Sequence, residues 1–251
     1  MFKLLKMIVF ILLSAYLILC SAVFYFQRSL IYHPTPDLPV NPSNILTLSV
    51  DDVKLKISVR DVVGNNAILY FGGNAETVSN SLPKYAAAFP DHAIYMLHYR
   101  GFSGSTGAPS EAALHIDAEK LYEYVKAKHN KITVIGRSLG SGIAIRLAAT
   151  RPLNKLVLVT PYDSMLNMAR LRFPYLPVSL LLKDHYESWR YAPQIIVPTI
   201  ILTADKDQVI PIENSRKLFK SFYAGVADFK VINNTDHYSI SLSPEYFPLM
   251  Q

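Results

Sequence analysis

Ile132-Thr133-Val134-Ile135-Gly136-Arg137-Ser138-Leu139-Gly140 runs a β-branched apolar segment directly into the pattern Gly-x-Ser-x-Gly. An apolar helical pattern, Leu139 to Thr150, follows at once. A serine set between glycines at a strand-to-helix turn is a nucleophile elbow. The sharp turn lifts the hydroxyl into the open, and bare glycines leave room for the neighbouring strand and helix. Ser138 is therefore the candidate nucleophile, with Gly136 and Gly140 as its supporting glycines.

The rest of the chain repeats this alternation. Candidate strands are Leu46 to Ser49, Leu55 to Val62, Ala67 to Phe71, Ala93 to His98, Ile132 to Ile135, Lys155 to Thr160, Thr199 to Thr203 and Phe229 to Ile232. Runs such as Ala67-Ile68-Leu69-Tyr70-Phe71 are apolar throughout, which suits parallel strands covered on both faces. Helical patterns lie at Ser110 to His129, Leu139 to Thr150 and Ile212 to Ala224. The order predicts an α/β fold with a doubly wound, mostly parallel sheet whose first two strands form an antiparallel edge. Eight of the ten glycines fall in three clusters at strand ends, Gly72-Gly73, Gly101/Gly104/Gly107 and Gly136/Gly140/Gly142. Ligands of such sheets gather at those ends.

A serine hydroxyl needs a base, and the base needs a group to hold it. The order expected on this fold is serine, acid, histidine. Only His185 and His237 follow Ser138. His237 stands in the polar loop Asn233-Asn234-Thr235-Asp236-His237-Tyr238 after an apolar strand, which makes it the candidate base. His185 adjoins Leu180-Leu181-Leu182-Lys183-Asp184, a candidate cap segment. For the acid, Asp205 and Asp207 compete on the loop after Thr199 to Thr203, and Asp163 is a third candidate. An oxyanion hole needs two N–H donors. The backbone amide of Leu139 is one candidate, and that of Asn74, in Phe71-Gly72-Gly73-Asn74-Ala75-Glu76, is the other.

Hydrophobic residues make up 51% of the 251 residues and charged ones 18%. This composition excludes disorder and leaves room for a membrane segment. The net charge of +6 is unevenly placed. Removing Lys3, Lys6 and Arg28 from the 25 basic residues leaves 22 against 19 acids. No Lys/Arg run follows, so no nucleic-acid partner is expected. Met7 to Phe26 carries no charge over twenty residues, enough to cross a bilayer core of about 30 Å as a helix. Phe24, Tyr25 and Phe26 sit where aromatic rings favour the headgroup level. The expected organisation is an N-terminal transmembrane helix over 1–28, a proline-rich connector over 29–43, and a catalytic domain over 44–251 with a short cap at about 163–190. Lys3 and Lys6 outweigh Arg28, which puts the domain on the extracytoplasmic side. Cys20, the single cysteine, allows no disulfide or cysteine-based metal site, and it marks the position at which cleavage or lipidation would compete with a retained anchor.

Taken together, these residues resemble the α/β-hydrolase superfamily. More narrowly, from Gln27 to the carboxyl end, the chain is similar to small serine hydrolases grouped with bud-emergence-like proteins and serine-aminopeptidase-type domains, relatives of protein depalmitoylases. Gln27-Arg28-Ser29-Leu30-Ile31-Tyr32-His33-Pro34 resembles that group's post-anchor segment. Tyr99-Arg100-Gly101-Phe102-Ser103-Gly104-Ser105-Thr106-Gly107-Ala108-Pro109-Ser110-Glu111 resembles its most specific signature. The family's acid stands in Asp-x-x-Val/Ile-Pro, so the resemblance implies Asp207. Gly72-Gly73-Asn74-Ala75 departs from the frequent His-Gly-Asn-Ala while keeping the Asn74 donor.

The resemblance implies a serine ester or thioester hydrolase with no metal and no cofactor, acting on a small-molecule or lipid-like acyl substrate. Leu166, Met168, Leu171, Phe173, Leu176, Leu180 and Leu181 are candidates for an acyl pocket. Two alternatives stand beside it. One is an aminopeptidase, with Glu76 or Glu111 holding the substrate amine. The other is a non-catalytic protein that binds a lipid or a partner.

Overall fold

In the computed structural model, which describes residues 2–36 and 44–251, eight strands form one sheet. They are β1 (Ile45–Val50), β2 (Val53–Arg60), β3 (Asn66–Phe71), β4 (Ala93–Leu97), β5 (Lys131–Arg137), β6 (Lys155–Val159), β7 (Thr199–Ala204) and β8 (Ala227–Ile232). Their order across the sheet is β1-β2-β4-β3-β5-β6-β7-β8. β2 pairs antiparallel with both β1 and β4, and every pairing from β4 through β8 is parallel. The doubly wound sheet with an antiparallel edge is the fold that the alternating pattern predicts.

Side chains alternate between the faces of a strand, and both faces are buried here. Leu69 and Phe71 of β3, Tyr95 of β4, Val134 of β5 and Leu158 of β6 point to one side. There they meet Leu114, Leu121 and Val125 of helix α3 (Glu111–Lys126) and Ile143 and Leu147 of helix α4 (Leu139–Thr150). Ile68, Tyr70, Met96, Ile135 and Val157 point to the other, against Leu82 and Tyr85 of helix α2 (Leu82–Ala88) and against Tyr246 and Met250. Two-sided cover is why these strands carry no polar alternation.

The helices are α1 (Phe2–Ile31), α2 (Leu82–Ala88), α3 (Glu111–Lys126), α4 (Leu139–Thr150), α5 (Met165–Arg172), α6 (Val178–Leu181), α7 (Ser188–Tyr191) and α8 (Ile212–Phe219). Ser110 caps α3 by accepting the Ala113 amide. α2 has no counterpart among the helical patterns of the sequence. Its seven residues, Leu-Pro-Lys-Tyr-Ala-Ala-Ala, are too few for a periodic signal, although the parallel pairing of β3 with β4 demands a crossover. α5, α6 and α7 lie between β6 and β7 as the cap.

α1 is long and apolar enough to cross a membrane, with a mean hydropathy of 2.7 over its most apolar window. Its side chains are nearly all exposed, unlike those of a core helix. It runs to Ile31, three residues into the segment expected to be connector. Beyond it, the Ser103 amide donates to the Thr35 carbonyl (2.9 Å) and the two hydroxyls are 2.7 Å apart. The connector is thus fastened to the domain at Thr35. Pro39 and Pro42 lie outside the described residues.

At the elbow, Ser138 has φ +49° and ψ −116°, a conformation that costs a non-glycine residue about 1–3 kcal/mol. A Cβ at Gly140 would collide with the Phe71 carbonyl oxygen, and one at Gly136 would lie 2.5 Å from Ala144 Cβ. Gly73 differs, because a Cβ there would meet Ser138 Cβ at 3.7 Å, ordinary contact. Gly140→Ala is expected to destabilise the protein by about 1–3 kcal/mol or more, as overpacking does, while Gly73→Ala stays within about 0.5 kcal/mol of wild type. Urea unfolding of the two variants checks this, and equal stabilities would contradict it.

Candidate active site

Strand ends position the three candidate side chains. Ser138 follows β5, Asp207 leaves β7 and His237 leaves β8. Adjacent parallel strands bring their ends to one edge, so residues far apart in sequence meet there. His237 Nε2 lies 3.0 Å from Ser138 Oγ, and His237 Nδ1 lies 2.8 Å from Asp207 Oδ2. The other Asp207 oxygen accepts the amides of Val209 (2.9 Å) and Ile210 (2.8 Å). That pair of bonds fixes the carboxylate and explains the residues following the aspartate. Ser138 is 9% and His237 6% exposed, so the chain of bonds is shielded while the hydroxyl still reaches a cleft.

The other acids are employed elsewhere. Asp205 accepts the Thr235 amide at 3.0 Å, tying the histidine loop to β7. Backbone N–H groups of Asn234 and Thr235 hold its carboxyl below its ordinary value. Asp163 is buried and receives both Asn214 Nδ2 and Asn167 Nδ2, which staples the cap to α8. His185 Nε2 lies 2.8 Å from the Leu182 carbonyl oxygen inside the cap.

Asn74 and Leu139 line the cleft beside Ser138. The loop carrying Asn74 is held from three sides. Tyr99 donates its hydroxyl to the Gly72 carbonyl (2.7 Å), and burial pushes that phenol well above its ordinary pKa, so it remains a neutral donor. Glu76 Oε2 accepts the Gly73 amide (2.7 Å), while its Oε1 accepts the hydroxyls of Tyr70 (2.8 Å) and Ser81 (3.0 Å). The Asn74 side chain donates to the Ile31 carbonyl (2.6 Å) and accepts the His33 amide (2.9 Å). Sequence reasoning missed Ile31 and His33 in this place. Their signal was present in the segment Gln27 to Pro34, but its partner lies 41 residues further on.

Arg137 completes the frame. Its guanidinium donates to the His237 carbonyl (3.1 Å) and stands 3.7 Å from Glu76. Burial opposes its charge, but the neighbouring Tyr70 and Glu76 hold its pKa above the ordinary value. One partly buried ion pair therefore joins the histidine loop to the Asn74 loop.

The cleft encloses about 630 Å³. Met168, Leu171, Phe173, Leu176 and Leu181 of the expected acyl pocket line it, together with Met165 and Val178. Leu166 is buried away from it, and Leu180 faces outward. Val23, Gln27, Leu30 and Ile31 of α1 also line it, which the sequence did not suggest.

Glu76→Ala is expected to destabilise the protein by about 2–4 kcal/mol, because the partly buried Arg137 loses its counter-charge and the Gly73 amide and the Tyr70 and Ser81 hydroxyls lose their acceptor. Asp205→Ala, which removes an exposed carboxylate, should fall well below that. Denaturant unfolding compares them, and a Glu76→Ala cost no larger than that of Asp205→Ala would contradict the framing role.

A family model described as the alpha/beta hydrolase fold matches residues 66–184. Protein bem46 of Schizosaccharomyces pombe is 25% identical over 267 aligned positions, covering 95% of this chain and 89% of that protein. The lysophosphatidylserine lipase ABHD12 of Xenopus tropicalis is 28% identical over 179 positions, covering 61% of this chain and 45% of its own length. Among solved structures, the Pyrococcus furiosus esterase Pf2001 superposes with a TM-score of 0.69 at 17% identity, over 85% of this chain and 94% of the esterase. With this sheet order, this elbow and these matches, the chain has the α/β-hydrolase fold.

Proposed function

We propose that this protein is a membrane-anchored serine hydrolase that cleaves the ester or thioester bond of lipid-like acyl substrates. The fold and its lipase and esterase relatives support hydrolase chemistry. The observation that carries the finer reading is the His237 ring, bonded to Ser138 on one side and Asp207 on the other at the floor of an apolar cleft.

In this reading His237 takes the Ser138 proton as Oγ attacks the acyl carbonyl. Asp207 holds the ring and balances the imidazolium charge. The amides of Leu139 and Asn74 receive the oxyanion of the tetrahedral intermediate. His237 then gives its proton to the departing alcohol or thiol, leaving an acyl ester on Ser138. Water, deprotonated by the same ring, attacks that ester and releases the carboxylic acid and the free serine. The chemistry asks for no metal or organic cofactor.

The acyl preference rests on the cleft wall, which is built from methionine, leucine, phenylalanine and valine. An aminopeptidase is less well supported. Glu76 is occupied by Gly73, Tyr70, Ser81 and Arg137, and Glu111 accepts the His185 amide (2.7 Å); neither lines the cleft. A binding protein without chemistry has no use for a hydroxyl, an imidazole and a carboxylate held in bonding sequence. We assign residues 1–28 to the anchor, 29–43 to the connector and 44–251 to the catalytic domain with its cap at about 163–190. The excess of Lys3 and Lys6 over Arg28 supports an extracytoplasmic position for that domain.

A fluorophosphonate probe should label Ser138 in the full chain, and Ser138→Ala should abolish both labelling and ester hydrolysis. Asp207→Asn is expected to lower kcat by about 10⁴-fold through the wrong histidine tautomer, whereas Asp205→Asn stays within about tenfold of wild type. Label on another residue, or equal losses at the two aspartates, would contradict the assignment.

A further inference from the structure

α1 is bound more tightly than a tether requires. Gln27 is 4% exposed. Its side chain donates to the Leu181 carbonyl (2.9 Å) and accepts the Lys183 amide (2.6 Å), so both ends of the amide grip the cap. Arg28 pairs with the buried Asp184 at 3.0 Å, and the Tyr32 hydroxyl donates to the same carboxylate at 3.1 Å. Further back along the helix, the Tyr16 hydroxyl donates to the Tyr175 carbonyl at 2.9 Å. Tyr16 precedes Arg28 by twelve residues, about 18 Å of helix at 1.5 Å per residue. The cap therefore runs beside α1 for that distance.

Depth follows from the sequence of α1. Lys183 Nζ stands 4.0 Å over the Phe24 ring, a cation and an aromatic at the level both favour beside headgroups. Tyr16 lies eight residues deeper, about 12 Å, and is the tenth of the twenty uncharged residues from Met7 to Phe26. A cap segment that touches Tyr16 is at hydrocarbon depth when α1 spans the bilayer. The exposure of that segment agrees: Tyr175 is 89% and Leu180 82% exposed outside the cleft, and Leu171 and Phe173 are exposed where they line it. Four large apolar side chains exposed within ten residues of chain are unusual in water. The two cations of α5 are turned to the cap itself: Arg170 donates to Ser179 Oγ (2.8 Å) and Asn167 Oδ1 (3.3 Å), and Arg172 lines the cleft.

The cleft lies between these two elements. Val23 and Leu30 of α1, Met168, Phe173 and Leu181 of the cap, and Ser138 all line it. We propose that the cap sits in the leaflet beside α1 and that the cleft opens sideways into the acyl region. The substrate is then a membrane lipid ester whose chain slides in between helix and cap until its carbonyl meets Ser138. Entry and substrate class rest on the serine-hydrolase reading, whereas insertion of the cap stands independently of it.

The test uses the full chain in phosphatidylcholine vesicles. Tyr175→Trp in a Trp189→Phe background should lose its emission to phosphatidylcholine brominated on the acyl chain and stay indifferent to aqueous iodide. Quenching by iodide with no response to bromine would overturn insertion. In the same vesicles, Tyr175→Glu with Leu180→Glu should cut hydrolysis of a long-chain lipid ester by about tenfold or more, because remote binding energy is lost. Hydrolysis of water-soluble p-nitrophenyl acetate should stay within about twofold, since neither residue lines the cleft. An unchanged lipid rate would overturn lateral entry. Bromine quenching in the Tyr175→Trp protein, together with wild-type protein that cleaves neither ester, would uphold insertion and overturn entry along with the hydrolase reading.

Discussion

The backbone of Gly140 presses against the carbonyl of Phe71, and no side chain fits between them. This contact sets the distance between the start of α4 and the end of β3. Because β3 and β5 are hydrogen-bonded neighbours, it also sets where the loop after Phe71 lies relative to Ser138. Ser138 accepts a strained φ of +49° at that point. The strain is tolerated because strand, helix and glycine contact over-determine the turn. From there the framework extends outward through Glu76 and Arg137 to the loop that carries His237.

The second constraint comes from outside the sheet. Asn74 sits at the junction of the elbow and the end of α1, holding the Ile31 carbonyl and the His33 amide. Gln27, Arg28 and Tyr32 bind the cap directly. The helix that reads as an anchor is therefore also a wall of the cleft. In the proposed mechanism the groups that receive the oxyanion and those that receive the acyl chain are both referenced to it. A membrane-bound enzyme built this way has its substrate-binding geometry tied to its attachment, with few degrees of freedom between them.

Much of this was legible in the sequence. The central strands β3, β4 and β6 appear as apolar runs, because a sheet buried on both faces needs no polar alternation, while the outer strands β1, β2 and β8 alternate apolar with polar residues. The elbow was legible for a similar reason, since steric necessity at Gly136 and Gly140 leaves few alternatives. Asp207 was not separable from Asp205 by local pattern alone. Both leave the same strand, and the difference lies in which oxygen faces an imidazole thirty residues away. The role of α1 was hidden more deeply. Hydropathy identifies a span but carries no information about what packs on it, so the partnership of Gln27 with residues 181 and 183 has no signature in a single chain. The short α2 escaped because seven residues do not complete a periodic pattern.

The central claim is convergence: hydroxyl, imidazole, carboxylate and two amides around one point, with an apolar channel leading to it. An experimental structure of the full chain with a long-chain alkyl boronic acid tests this most directly, since boron captures a nucleophilic hydroxyl and leaves a tetrahedral oxygen where an oxyanion forms. The account predicts boron on Ser138 Oγ, one boronate oxygen within hydrogen-bonding reach of the Leu139 and Asn74 amides, and the alkyl tail between α1 and the cap. Boron on another residue, or that oxygen turned away from both amides, would contradict it.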